Sequence, residues 1–194
     1  MDKRIKILDS AVLAGGKYNL RKVVFEYTNK AGQQDVQTRF VFDRGNGAAI
    51  LLYNRTSGTV ILTRQFRLPT WLNGNPTGML IEVCAGELDE EAPEAAIRRE
   101  TEEEVGFRVG AVTKVFEAYL SPGAATEIVT FFIAEYSAAM KVSEGGGLEA
   151  EHEEIEVLEM SYEQAMGMVR SGEIRDARTI MLLLWVRGEI FSYI

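Results

Sequence analysis

Histidine and cysteine are nearly missing from this chain, with one of each among 194 residues. The lone Cys84 excludes an intrachain disulfide and fits a reducing compartment. The lone His152 is assigned no role. No run approaches the roughly 18 apolar residues of a membrane-spanning helix. The opening MDKRIKILDS lacks the apolar core, about 7–15 residues long, of a secretory signal, so the expectation is a cytoplasmic protein without membrane contact. Basic residues are also in short supply: 21 Lys and Arg stand against 29 Asp and Glu, for a net charge of −8. That balance argues against sequence-independent nucleic-acid binding, which relies on Lys and Arg neutralising phosphates. It also means that an anionic substrate needs local basic residues or a metal. There is no internal repeat.

Hydrophobic residues are plentiful at 46%, enough for a substantial core. Length favours one large domain, or one with a small appendage. Residues 1–43 read as a meander of strands: Leu20 to Tyr27 is rich in β-branched and aromatic residues, Asn29-Lys30-Ala31-Gly32 is a turn signal, and Val36 to Phe42 is the return. That segment carries no obvious chemistry, and residues 44–194 form the rest of the chain as a second domain. Ala48 to Tyr53 is nearly continuous apolar sequence, as a central strand should be. Thr59 to Arg67 returns from it, Leu68 to Gly78 is a loop, and Met79 to Cys84 is a further strand. Strands are also expected over Val112 to Leu120, Ile128 to Tyr136 and Ile155 to Met160. Two helices close the chain, one capped by Ser161-Tyr162-Glu163-Gln164 and one over Ala177 to Arg187.

The densest stretch is Gly86 to Phe107, GELDEEAPEAAIRRETEEEVGF. Pro93 suits the first helical position, and Gly106 suits a left-handed stop. Glu100, Glu103 and Glu104 are three and four apart and crowd one side of that helix, where like charges repel. Arg98 and Arg99 precede the cluster instead of diluting it. One reading is a solvated acidic face. The other is a site for a hard divalent cation, because Mg²⁺ takes carboxylate and phosphate oxygens.

The stretch resembles the signature of the Nudix family, hydrolases of nucleoside diphosphates linked to another moiety. Gly86, Glu91, Arg99-Glu100, Glu103-Glu104, Gly106 and Phe107 occupy its fixed positions. The loop between Gly86 and Glu91 is one residue short, and Thr101 replaces an aliphatic residue. The resemblance implies an α+β Nudix fold, a mixed sheet between helices, with residues 1–43 as an added antiparallel sheet that forms a homodimer. It implies Mg²⁺ as cofactor, bound by Glu100, Glu104, the carbonyl of Ala85 and Glu153, with Glu103 supporting, Arg99 orienting a carboxylate and Glu153 serving as ligand or general base. Glu153 follows from alignment on Ile155-Glu156-Val157; alignment on Gly145-Gly146-Gly147 selects Glu151 instead. That glycine run reads as the hinge of a mobile acidic loop. Substrate contacts are implied for Arg67, Ala85, Gly86, Glu87, Glu127, Arg178 and Arg39. Within the family, Cys84-Ala85-Gly86, Asp43 to Gly47 and Ile174-Arg175-Asp176 resemble the nucleotide-sugar branch that cleaves GDP-mannose to GMP and mannose 1-phosphate. Pro122, sixteen residues beyond Gly106, resembles the ADP-ribose group, so ADP-ribose to AMP and ribose 5-phosphate is the alternative. A non-catalytic nucleotide-sugar sensor is the rival from another class, and the intact box glutamates count against it.

Overall fold

The computed structural model describes residues 3–88 and 90–191, with Glu151 described by its backbone alone. The chain divides into two compact units. One comprises the chain up to Asn46 together with Tyr119–Ile128, and the other comprises Gly47–Ala118 and the chain from Val129 onward.

The first unit is a three-stranded antiparallel sheet in sequential order, β1 (Ile5–Ala14), β2 (Asn19–Thr28) and β3 (Gln34–Asp43). The β2–β3 turn forms where the sequence signals it. The Asn29 side-chain oxygen accepts from the N–H groups of Ala31 and Gln33, and Gly32 takes a positive φ. The register then runs without a break from Asn19↔Asp43 to Thr28↔Gln34. Tyr119–Ile128 joins this unit through backbone bonds on both sides of Phe42, to Ala124 and Thr126. Thr126 also donates from its hydroxyl to Asp43 at 3.0 Å.

The second unit is built on β4 (Gly47–Asn54), whose first seven residues are all buried. Such a strand must be covered on both faces. It pairs in parallel with β9 (Ile128–Glu135) on one edge. On the other it meets β5 (Thr59–Phe66), but only from Leu52 to Asn54. Beyond that point β4 and β5 part, and the chain from Met79 to Glu87 fills the gap between them. β6 (Met79–Glu82) pairs with β5, and β7 (Cys84–Glu87) pairs with β4. The single strand expected over Met79 to Cys84 is therefore two, changing partner at Val83, whose N–H donates instead to the Thr179 hydroxyl at 2.8 Å. β10 (Glu156–Ser161) and β8 (Thr113–Tyr119) complete the order β10-β5-β4-β9-β8.

Helices cover the two faces. Ala48, Ile50 and Leu52 form a core with Ile97, Val105, Phe107 and Phe132 beneath α2 (Pro93–Val105). The intervening residues of β4 meet the other face, where α4 (Ala177–Glu189) packs beside α3 (Tyr162–Ser171). Both of these helices start at side-chain caps: Ser161 accepts from the Gln164 N–H, and Asp176 from the Thr179 N–H. The loop expected over Leu68 to Gly78 contains one short helix, α1 (Leu68–Leu72), begun by Pro69 in its first turn.

Candidate active site

The site lies where β7 runs above α2. Pro93 and Gly106 bound this helix as their chemistry demands, Gly106 at φ 78°. A side chain at Gly86 would overlap the carboxyl of Glu100, since an added Cβ would lie 2.2 Å from its Cδ. Glycine is required there because Glu100 rests against the backbone of the strand. One turn on, the Glu104 carboxylate accepts from the Ala85 N–H at 3.2 Å. Both carboxylates are thus held against the Ala85-Gly86 backbone.

Glu104 is only 2% exposed. Burial pushes its carboxyl up to about 8, with the charges of Glu100 and Glu153 adding to the shift, while bonds from Cys84 and the Ala85 N–H oppose it. Glu100 is likewise raised, first by burial, against the pull of Arg99 and with the push of Glu103 and Glu153. Arg99 holds the periphery. Its Nε donates to Glu91 at 3.1 Å, Nη1 to Glu103 at 2.7 Å and Nη2 to Glu100 at 3.0 Å. Its pKa is raised because those carboxylates outweigh the cost of its desolvation. Glu91, despite the shortened loop, is in place as a partner of Arg99.

Glu153 arrives from the loop before β10. It accepts from the Leu148 N–H at 3.1 Å, and a Cβ on Gly147 would lie 2.5 Å from its Oε2. Gly145-Gly146-Gly147 does not read as a free hinge here. All three residues have positive φ, and the N–H groups of Gly146 and Gly147 bond the Glu104 and Glu103 carbonyls at the end of α2. A Cβ on Gly145 would meet the Glu104 carbonyl at 2.4 Å. The glycines permit close approach of this loop to α2, and that approach carries Glu153 toward Glu100 and Glu104. The side chain of Glu151, the alternative, lies outside the described residues. His152, next to Glu153, is the only described non-glycine residue with positive φ, at 57°.

A cavity of about 750 Å³ adjoins this loop, lined among others by Arg64, Phe66, Arg67 and Glu153. Arg67 and Arg178 converge on Glu82, at 2.7 and 2.5 Å. The sequence motifs did not single out Glu82. A glutamate inside an otherwise apolar strand, Met79 to Val83, is the signal that could have singled it out. Glu87 ends β7 opposite Gly47. Arg39 and Glu127 belong to the other unit. There Arg39 donates to Gln37 and the Thr38 carbonyl, and Glu127 faces Arg44 at 3.7 Å.

Among the described residues no three of His, Cys, Asp or Glu converge on a single metal-sized point. The donor chemistry still fits a hard cation. Half-buried Glu100 and buried Glu104 both have raised proton affinity, the charge of Glu100 adding to the shift of Glu104, and oxygen is the only donor type they offer.

A mixed sheet between helices, with a carboxylate-bearing helix docked under a strand that ends in Ala-Gly-Glu, is the architecture of the Nudix hydrolase class. The chain belongs to the Nudix family: the NUDIX domain matches residues 43–183. Residues 4–42 match the GDP-mannose pyrophosphatase NudK N-terminal domain. The chain is 49% identical to a GDP-mannose pyrophosphatase of Citrobacter koseri over 193 residues, covering 100% of both chains. It is 51% identical to one from Cronobacter sakazakii, over 97% of this chain and 98% of the relative. A crystal structure of an ADP compounds hydrolase superposes with a TM-score of 0.70 at 20% identity, covering 96% of each chain; at that identity it attests the fold. Nudix hydrolases generally use divalent metal ions.

Proposed function

We propose that this protein hydrolyses the diphosphate of a nucleoside diphosphate sugar, cleaving GDP-mannose to GMP and mannose 1-phosphate with Mg²⁺ as cofactor. The observation that carries the chemistry is the pair of carboxylates, half-buried Glu100 and buried Glu104, held against Ala85-Gly86 within electrostatic reach of Glu153. The choice of GDP-mannose is supported by the full-length relatives, which are named for that substrate.

Glu100, Glu104, Glu153 and the Ala85 carbonyl would hold the metal. Bound there, it would supply charge neutralisation at the diphosphate and acidify an attacking water. Arg99 keeps Glu100 and Glu103 in place from the side. Glu153, borne on a loop that the glycines pin to α2, accepts the proton of the attacking water. Arg67 offers its guanidinium to the diphosphate or the terminal sugar. Gly86 and Glu87 line the substrate beside the Ala85 carbonyl, Arg178 supports it from α4, and Arg39 and Glu127 keep the contact roles that the resemblance implies.

Residues 1–43 serve as a dimerisation segment and residues 44–194 as the hydrolase domain of a cytoplasmic homodimer. Exposed Ile5, Ile7, Leu8, Val12 and Leu13 on β1 support the dimer. The acidic charge leaves no basis for a nucleic-acid partner. A panel of nucleoside diphosphate sugars and ADP-ribose, incubated with the protein and Mg²⁺ and read by product identification, tests the activity. A higher kcat/KM for ADP-ribose would overturn the substrate while leaving the diphosphate chemistry standing.

A further inference from the structure

We propose that Glu82 is a positioning residue for substrate binding, fixing the Arg67 guanidinium by its Nε so that its two terminal nitrogens stay available to the cavity. The proposal rests on the reading of Arg67 as a contact of the diphosphate or terminal sugar.

Glu82 ends β6 and is 2% exposed. A charge so placed is costly unless it is paired and hydrogen-bonded. Both of its oxygens are engaged by arginines from other elements. Oε2 accepts from Arg67 Nε at 2.7 Å, where β5 has just ended, and Oε1 accepts from Arg178 Nη2 at 2.5 Å, in the first turn of α4. Arg178 is held in turn by Asp176, the cap of that helix, at 3.2 Å. The row Arg67, Glu82, Arg178, Asp176 alternates in sign and is anchored to a helix terminus. It is fixed further where the Thr63 hydroxyl bonds the Glu82 carbonyl at 3.2 Å.

The two arginines lining the cavity differ in what remains of them. Arg64 gives both Nε and Nη2 to a single carboxylate, Glu156. Arg67 gives Glu82 its Nε alone, and neither terminal nitrogen donates to another described residue. Its side chain is 38% exposed and lines the cavity beside Glu153. Two terminal N–H groups on a fixed plane can meet two phosphate oxygens or two sugar hydroxyls together. A long side chain left untethered would lose rotamer freedom on binding; Glu82 removes that freedom beforehand without occupying the edge that binds.

The test is a double-mutant cycle on the full chain, with GDP-mannose and Mg²⁺. Glu82→Gln should raise KM about tenfold, the scale of a hydrogen bond to a charged group, with a smaller change in kcat. Arg67→Ala should raise KM at least as much, and the double variant should lose clearly less than the two single losses combined, any remainder passing through Arg178. Glu82→Asp, which keeps the charge, should recover part of the loss; if Glu82→Gln does not fold, Glu82→Asp replaces it in the cycle with the same non-additive outcome expected. Additive losses, or a folded Glu82 variant with unchanged KM while Arg67→Ala raises it, would overturn the positioning role alone. An Arg67→Ala variant with unchanged KM would overturn the reading of Arg67 and the proposal with it.

Discussion

The strands β4 and β1 send their apolar side chains to opposite fates. Seven of the eight residues of β4 are buried, whereas every residue of β1 is exposed, Ile7 at 59% among them. β4 has strands on both edges and helices on both faces, so burial alone specifies its register. β1 has only β2, and its pairing shifts register twice, between Ile7 and Asp9 and between Val12 and Ala14. Cross-strand hydrogen bonds, each worth about 0.5–1.5 kcal/mol net, are a weak way to hold three strands that lack a covered apolar face. The contrast separates a unit whose central strand is covered along nearly its whole length from one whose first strand leaves every residue exposed.

The sharpest way to probe that division is to remove the chemistry and leave the core intact. Glu100→Gln and Glu104→Gln should each lower kcat about a thousandfold, the several kcal/mol expected of metal-assisted charge stabilisation. Circular dichroism should show the fold retained. Near-normal turnover at saturating Mg²⁺ in either variant would remove α2 from the reaction. Glu153→Gln should reduce kcat by about 10²–10⁴-fold, as for a lost general base, with Glu151→Gln milder. The reverse ranking would hand the catalytic-loop role to Glu151.

Stability should divide along the same line. Phe131→Ala, at a fully buried position of β9, should cost about 3–5 kcal/mol, and Ile7→Ala on β1 within about 0.5 kcal/mol, both read from denaturant midpoints of the monomer at concentrations too low for association. Equal losses would mean that β1 is buried in solution by its own chain. Against self-association the ranking should invert. Sedimentation should find a dimer at micromolar concentration, and Ile7→Asp with Val12→Asp should weaken it about tenfold or more; a stable wild-type monomer would remove the dimer.

A separate expectation concerns pH. The Glu104 carboxyl is raised from 4.5 to about 8 in the folded chain. A raised folded pKa means that the stability this group contributes is present at low pH and lost as pH rises through about 8. With chelator present, melting temperature should therefore decline between about pH 5 and pH 8, and Glu104→Gln should flatten the decline. Added Mg²⁺ should counter it, because the ligand form of Glu104 is the ionised one. A chelated wild type and Glu104→Gln with parallel profiles would refute the assignment.

Much of this was legible in the sequence, because it is written in local chemistry. Pro93 and Gly106 bounded α2, Asn29 to Gly32 placed a turn, and Ser161 capped α3, each through a preference that acts within a few residues. The box glutamates were legible for the same reason, since their spacing alone puts them on one side of a helix. What escaped was long-range. Nothing in Met79 to Cys84 announces a change of partner at Val83, which depends on β4 and β5 diverging elsewhere. Gly145 to Gly147 suggested mobility because glycine permits it, yet close packing on α2 makes the opposite use of the same freedom. The bridge from Glu82 to Arg67 and Arg178 joins residues up to 96 positions apart and has no local signature.

The partner change at Val83 also sets how this stretch tolerates insertions. Glu82 faces the arginines from the β5 side, and four residues later Gly86 clears space for Glu100 from the β4 side. Side chains alternate along a strand, so one inserted residue on either side of Val83 would turn the following strand's inward side chains outward. It would also move the Val83 N–H away from Thr179. Loops at the surface can lengthen without such a penalty, but between Glu82 and Gly86 the chain behaves as a ruler: its length, as much as its composition, keeps the arginine bridge of Glu82 and the seat of Glu100 at Gly86 at a fixed spacing.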